Sequence, residues 1–408
     1  MAKVFSDIVV SIDIGTTKVC VIVARKKIDE TVEIIGVGKA PSHGLKKGVV
    51  VDITKTVESI RAAVQEAELV SGYPIELATI GISGSHIRSF NSYGAVPIKH
   101  SVVRDSDVTH VLEAAQAIAI PEGQQILHAL PQYFCIDGHE RVQNPVGMAG
   151  IRLEAHVHII TGSVSSVQNL MSCCQRAGIK VHDVVLEQLA SARSVLTSDE
   201  RELGVGILDI GGGTSDFAIY QNGGIRQTFV VPIAGNHFTN DLAIGLQTTL
   251  QEAERIKKEF GIYQQHDGAK LIAVKKIYDN EVQLVSPTQL ACVLQPRAQE
   301  LLRIVKREID HSKLSSLMST GLVLTGGSSL LSGLEPIAHA ILQIPVRVGA
   351  PKTGHVLPES LDNPIYATGY GLLLSAFDHR AQTPLDVEKA NSVTRVLYRM
   401  KSWVGDFF

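Results

Sequence analysis

The sequence predicts an α/β fold made of two duplicated halves, and three observations carry that reading. Residues 9–23 and 206–220 repeat one design: an apolar strand, Asp-Ile-Gly, a Gly/Thr turn and a second apolar strand. Strand-like and helix-like stretches alternate between and after the two copies, as in layered α/β proteins. A third block, Gly321-Leu322-Val323-Leu324-Thr325-Gly326-Gly327-Ser328-Ser329, is a strand that runs into paired glycines.

Each element has a local cause. Apolar runs bounded by glycines read as buried strands, so each copy of the repeat is a β-hairpin. Residues 52–70 read as a helix, with Ile60, Ala63, Val64 and Ala67 on one face and Ser71-Gly72-Tyr73-Pro74 as its stop. Residues 78–82 read as a strand, 164–177 and 185–197 as helices, and 321–325 as a strand followed by a serine-capped helix. Residues 85–162 differ in texture: a helix-like piece near 105–119 lies among strands such as 125–130 and 155–161, which suggests an inserted subdomain. Residues 241–299 form a corresponding insertion in the second half, its helix starting near Thr248 and ending near Glu259 before Gly261. The expected cores are then 1–84 with 163–195, and 196–240 with 300–378. Residues 379–391 are polar with one proline and read as a flexible linker.

Composition narrows the function. The chain has 408 residues, 45% apolar and 19% charged, ample for a large core in two to four units. A net charge of −3 offers no strong positive field, which argues against nucleic acid as the main partner. Cys20, Cys135, Cys173, Cys174 and Cys292 fit no zinc spacing and read as reduced thiols. Residues 1–7 carry no basic stretch leading into an apolar run, so no export signal is expected. No run of about 18 uncharged apolar residues is present to span a bilayer.

The repeated turns point to phosphate chemistry. A nucleoside triphosphate with Mg²⁺ needs close backbone N–H groups, small residues that allow approach, and carboxylates for the metal's water shell. Gly15, Thr16, Thr17 and Lys18 supply one turn, and Gly211, Gly212, Gly213 and Thr214 the other. Asp13 and Asp209 supply the carboxylates. A single glycine-rich hairpin is more often structural; two matching copies with a third glycine block are hard to explain that way. Hydrolysis needs a group to orient water, and Glu187 or Gln188 could do so, or could instead cap a helix or face solvent. Gly81-Ile82-Ser83-Gly84-Ser85 only nearly matches a nucleophile elbow. His156 and His158 share a strand face, with no third metal ligand in view.

Residues 392–408 carry a separate signal. Val393, Val396, Leu397, Met400, Trp403, Val404, Phe407 and Phe408 fall on one helical stripe, with Arg395, Arg399, Lys401 and Asp406 off it. A helix of about 16 residues is about 24 Å long, short of a hydrocarbon core of roughly 30 Å. It would lie in the membrane interface, Arg and Lys near anionic headgroups; the alternative is a terminal helix docked on the protein's own core. Arrayed tails would gain avidity through effective concentration.

The three glycine blocks resemble the phosphate and adenosine motifs of the actin, hexokinase and DnaK-type chaperone superfamily, with 185–196 and 366–374 similar to its connecting helices. Residues 252–258, Glu-Ala-Glu-Arg-Ile-Lys-Lys, are similar to its helix over the adenine and ribose. Within that superfamily the chain resembles the bacterial cell-division FtsA family. Residues 34–38, Lys47-Gly48, 144–147, 200–204 and 234–236 stand where that family has similar segments.

The resemblance implies an actin-like (ribonuclease H-like) fold, two lobes around a nucleotide cleft. Asp13 and Asp209 would hold Mg²⁺ through water. Thr16, Thr17, Lys18, Gly211, Gly212, Gly213 and Thr214 would contact the phosphates of ATP, although Lys18 could also be a solvated turn lysine. Gly326, Gly327, Glu254, Lys257 and Lys258 would contact adenosine. It further implies weak ATPase activity at most, filaments by self-association, and residence on the cytoplasmic face of the inner membrane. The implied partners are the C-terminal peptide of the tubulin-like FtsZ, on residues 241–299 with Arg297, and later division proteins such as FtsN on residues 85–162. A small-molecule kinase would show a substrate base in the cleft. A chaperone would need a peptide-binding domain within the last 30 or so residues, and a pilus-assembly adaptor fits the terminal helix poorly.

Overall fold

The computed structural model describes residues 8–27, 32–139, 141–262, 271–278, 281–352 and 361–382. The first half opens with β1 (Ile8–Ile14), β2 (Lys18–Lys26) and β3 (Val32–Pro41). A short ribbon, β4 (Leu45–Lys46) and β5 (Val49–Val50), leads to α1 (Ile53–Ser71) and β6 (Leu77–Ile82). An inserted unit follows: β7 (Arg88–Pro97), α2 (Asp105–Gln116), β8 (Gln124–Ile136) and β9 (Arg152–Ser163). The chain returns through α3 (Val164–Arg176), β10 (Lys180–Leu186) and α4 (Glu187–Val195), and α5 (Ser198–Leu203) leads out. The second half comprises β11 (Val205–Ile210), β12 (Ser215–Gln221), β13 (Gly224–Val231), α6 (Gly235–Gly245) and α7 (Leu250–Phe260). It continues with β14 (Ile272–Lys275), β15 (Val282–Val285), α8 (Pro287–His311) and β16 (Leu322–Thr325). Then come α9 (Leu334–Leu342), β17 (Val346–Val348) and α10 (Ala367–Gln382).

The duplication is topological. One sheet runs β10-β6-β1-β2-β3 and the other β17-β16-β11-β12-β13. In each, the first strand pairs antiparallel with the second and parallel with the strand that follows the helices. β1, β2, β11 and β12 are almost wholly buried, which is why they read as continuous apolar runs rather than alternating ones. α1 stops as expected at Gly72, at φ 71°; at its start Asp52 is the cap rather than the first helical residue, accepting from the Lys55 N–H at 3.1 Å. Gly261 closes α7 in the same role, its N–H donating to the Lys257 carbonyl at 3.1 Å.

Three expectations need correction. After β16 the chain makes a single 3-10 turn, Gly327–Leu330, rather than a serine-capped helix. Gly326 adopts φ 81°, and Ser329 Oγ donates back to its carbonyl at 2.7 Å, so the helix proper, α9, starts only after Gly333. α8 is one 25-residue helix that runs through position 299, and α6 runs through position 241, so neither edge of the second insertion is a break in the chain. α10 runs to Gln382, past the expected start of the linker at 379. Eight further residues, 375–382, make the helix longer than the resemblance block 366–374 alone suggests, and the rest of the linker lies outside the described residues.

The inserted unit packs α2 on one face of the sheet β7-β9-β8, around Val111, Leu112, Phe134 and Ile159. It docks on β13, the edge strand of the second half. Ser89 Oγ donates to the Thr228 carbonyl at 2.6 Å, and Gln132 Nε2 to the Ile225 carbonyl at 2.9 Å and the Arg226 carbonyl at 3.2 Å. His158 lies buried in that seam, Nδ1 2.7 Å from Asn91 Oδ1 and Nε2 3.0 Å from Thr228 Oγ1.

The halves are joined by the crossing of α4 and α10. Ser194 Oγ donates to the Ala367 carbonyl at 2.7 Å, and Ser11 Oγ of β1 to the Gly369 carbonyl at 2.8 Å. A β-carbon on Gly371 would lie 1.7 Å from the Ala190 carbonyl oxygen, so only glycine permits this separation.

Two predictions follow from these contacts. Gly371→Ala forces the helices apart and should destabilise the chain by on the order of 3 kcal/mol; a denaturant midpoint unchanged from wild type would refute the close crossing. Burial pushes the His158 pKa down to about 3, from an ordinary value of 6.5. The folded chain therefore binds fewer protons there than the unfolded chain, and that contribution to stability is lost as pH falls below about 6.5. Wild type should lose stability relative to His158→Gln by up to about 1.4 kcal/mol for each pH unit below about 6.5. Parallel pH profiles for the two proteins would contradict a buried neutral imidazole.

Candidate nucleotide site

The two Asp-Ile-Gly turns meet where the halves face each other. Each closes with the same hydrogen bond: the Gly15 N–H donates to the Lys18 carbonyl and the Gly211 N–H to the Thr214 carbonyl, both at 3.0 Å. The turns touch. A β-carbon on Gly212 would come within 2.3 Å of Thr17 Cγ2, and one on Gly213 within 2.4 Å of Thr16 Oγ1. Both turns open onto a cavity of about 520 Å³.

The residues singled out from the sequence converge on this cavity. Asp13, Gly15, Thr16, Thr17 and Lys18 line it from the first turn, and Asp209, Gly211, Gly212, Gly213 and Thr214 from the second. Glu254, Lys257 and Lys258 reach it from α7, and Gly326 and Gly327 from the end of β16. Gly326 comes so close that a β-carbon would meet Asp209 Oδ1 at 2.2 Å. Glu187 lines the cavity; Gln188 does not. Consecutive helix residues point about 100° apart, and Gln188 is turned inward, fully buried, with neither amide atom hydrogen-bonded.

Four carboxylates crowd the floor. Burial raises Asp13, and Asp209 raises it further against the pull of Lys18. Burial also raises Asp209, whose hydrogen bonds from Ser191 and Thr368 oppose the shift. Glu187 is pushed well above the usual carboxylate range, by burial first and then by Asp13, Asp216 and Asp209. Asp216 is raised to about 7, chiefly by burial. Hydroxyls hold the oxygens in place: Thr368 Oγ1 donates to Asp209 Oδ2 at 2.8 Å, Ser191 Oγ donates to the same oxygen, and Ser83 Oγ donates to Asp216 Oδ1 at 2.5 Å. The serine of the near-elbow is thus tied to a carboxylate.

The lysines are engaged. Lys18 Nζ lies 3.7 Å from Asp13 Oδ2 and donates to the Ile365 carbonyl at 2.5 Å. Lys257 Nζ donates to Glu254 Oε2 at 2.6 Å, Thr239 Oγ1 donates to the same oxygen at 2.5 Å, and Lys258 Nζ lies 3.2 Å from Glu254 Oε1. Burial opposes ionisation of Glu254, but these partners outweigh it and hold its pKa low.

Sequence reasoning missed Asp216, Asn236, Ser328 and Thr368, which also line the cavity. For Asp216 a signal existed. It pairs across the hairpin with Asp209, whereas the corresponding partner of Asp13 is Cys20. The acid is the point at which the repeat loses its symmetry. Thr368 had no local signal, because its proximity arises only when α10 crosses α4.

Other expected residues lie elsewhere. Arg297 grips Asp241 of α6, Nε at 2.7 Å from Oδ2 and a terminal nitrogen at 3.0 Å from Oδ1, and also bonds Glu300. His156 lies beside Cys135 and Glu154, their ligand atoms within 4.8 Å of one another, so a third donor does exist next to it. Glu154 is also bound by Arg152, 3.1 Å away. Val396, Leu397, Met400, Trp403, Val404, Phe407, Phe408, Arg395, Arg399 and Lys401 lie outside the described residues. Among the described residues no helix is long and apolar enough to cross a membrane.

Comparison with known proteins agrees with the geometry. Residues 84–161 match the family described as an SHS2 domain inserted in FtsA, and residues 206–371 match the family of cell division protein FtsA. The cell division protein FtsA of Pseudomonas aeruginosa is 44% identical over 100% of both chains. That of Bacillus subtilis is 38% identical over 90% of this chain and 83% of its own. Among solved structures, the PilM–PilN type IV pilus biogenesis complex superposes with a TM-score of 0.67 at 16% identity, covering 90% of this chain and 98% of that one. MreB5 of Spiroplasma citri bound to ADP gives 0.58 at 14% identity, over 94% and 99%. Two duplicated sheets around a cleft, with an inserted three-stranded unit in the first half, make this an actin-like fold, and the chain belongs to the FtsA family of cell division proteins.

Proposed function

We propose that this chain binds ATP with Mg²⁺ in the cleft, polymerises at the cytoplasmic face of the cell membrane, and tethers the FtsZ ring there. The observation that carries the reading is the convergence of two glycine-rich turns on four carboxylates, three of them buried. Such a donor set suits a hard cation that takes oxygen ligands and keeps several waters. Asp13 and Asp209 would hold the hydrated ion, whose charge offsets both the carboxylates and the phosphates. The turns at Gly15–Lys18 and Gly211–Thr214 would present backbone N–H groups to the phosphates. Glu254, Lys257 and Lys258 would meet the adenosine, with Gly326 and Gly327 leaving room for it. Solved proteins of this fold bound to ADP and to AMPPNP support a nucleotide here.

The water-orienting role falls to Glu187 rather than Gln188, since only Glu187 lines the cavity. Turnover would be slow. ATP acts mainly by closing the halves on each other, favouring filaments. The unit at 85–162 would make filament contacts and receive later, FtsN-like division proteins. The helices and hairpin of 241–299 would receive the C-terminal peptide of FtsZ. Arg297 there sets α8 against α6 through Asp241, so it would shape that surface more than reach the peptide. The amphipathic stripe of 392–408 would lie in the membrane interface, each tail weak alone and strong in an array.

Asp209→Asn should weaken Mg-ATP binding at least about tenfold, a loss of roughly 1.4 kcal/mol, while changing binding in EDTA far less. Calorimetry with and without Mg²⁺ reads this, and equal losses in both conditions would remove the aspartate from the metal. In liposome flotation with ATP, the full chain should float and a chain ending at Asn391 should not. If both float, or neither does, the tail is not the tether.

A further inference from the structure

A second cavity, about 480 Å³, lies at the seam between the inserted unit and the second half, away from the nucleotide cleft. Arg226 of β13 forms part of its wall. The side chain is only 7% exposed. Its Nε is buried without a hydrogen-bond partner, and no ion pair to its guanidinium occurs among the described residues. A buried cation without a counter-charge is costly, because the desolvation of the ion is not offset by any attraction.

A second guanidinium stands nearby. Arg141 and Arg226 both pack on the Tyr133 ring, their Cζ atoms 4.6 and 5.6 Å from its centroid. Burial lowers the Arg226 pKa, and the charge of Arg141 adds to the effect. Asn222, in the β12–β13 turn, completes the polar wall, and the exposed Glu202 sits at the rim. Glu202 forms no ion pair with either arginine among the described residues. Like-charged guanidinium groups facing one cavity, one of them buried and unpaired, are what a planar oxyanion neutralises with charge-assisted, often bidentate, hydrogen bonds.

We propose that this cavity is an oxyanion site, taking a carboxylate or a phosphate group between Arg226 and Arg141. Both source groups present the same chemistry to the arginines. Because the walls come from the inserted unit and from β13, the bound anion would strengthen the seam between them.

The test uses the full chain, with sodium phosphate and sodium succinate titrated by calorimetry at constant ionic strength. Saturable binding of at least one anion is expected. Arg226→Met and Arg141→Gln should each weaken it at least tenfold. Glu202→Gln should tighten it several-fold, by removing an acid at the rim. Arg141 is exposed, so its variant keeps the test decisive if Arg226→Met does not fold. Binding of phosphate alone assigns a phosphoryl ligand, and binding of succinate alone a carboxylate. The proposal is overturned if neither anion binds, or if both arginine variants bind as wild type does, which would move the anion to the nucleotide cleft.

Discussion

The close crossing of α4 and α10 at Gly371 sets the distance between the halves, and with it the geometry of the cleft. Ala190 and Gly371 approach until backbone meets backbone. Because of that approach, a hydroxyl from each helix, on Ser191 and on Thr368, reaches the same oxygen of Asp209. Asp209 belongs to the second half, Ser191 to the end of the first, and Thr368 to the returning helix. One carboxylate oxygen of the second half is therefore held by two helices, α4 and α10. The neighbouring Ser194 and Ser11 repeat the pattern on backbone carbonyls of α10. Small polar residues suit this place because they fit a tight crossing and still satisfy buried acceptors.

That geometry makes the cleft electrostatically demanding. Four acids share the floor: Asp209 raises Asp13, Glu187 and Asp216, and Asp13 and Asp216 also raise Glu187. Lys18 moderates Asp13 but is also committed to the Ile365 carbonyl. On the α7 side the balance is the reverse, with two lysines around Glu254. The cavity is therefore polarised, acidic where the turns meet and basic toward α7.

Much of the fold was legible because duplication doubles every signal. A lone Asp-Ile-Gly hairpin could belong to many proteins; the second copy pointed to two duplicated halves facing each other. The glycines that close α1 and α7 act over three or four residues, so they were readable locally. What could not be read was whatever a crossing or a docking creates. Thr368 meets Asp209 across 159 positions, and Ser83 meets Asp216 across 133. Gln188 looked as good as Glu187 in the sequence, because which of two adjacent helix residues faces a cleft depends on how the helix is rotated against its neighbours. The serine after Gly326-Gly327 resembled a cap, yet a left-handed glycine beside Asp209 diverted the backbone before a helix could start.

β13 is the last strand of its sheet, and an unpaired strand edge is a template for another strand. Here side chains of the inserted unit stopper it: Ser89 and Gln132 occupy the carbonyls of Ile225, Arg226 and Thr228. The insertion is thus also an edge guard. A chain stripped of residues 85–162 would expose that row of carbonyls and a buried arginine together, and would be sticky for reasons unrelated to any partner the insertion receives. In the proposed filament, where subunits would have to meet only at chosen faces, ordered growth would depend on keeping this edge closed to indiscriminate strand addition.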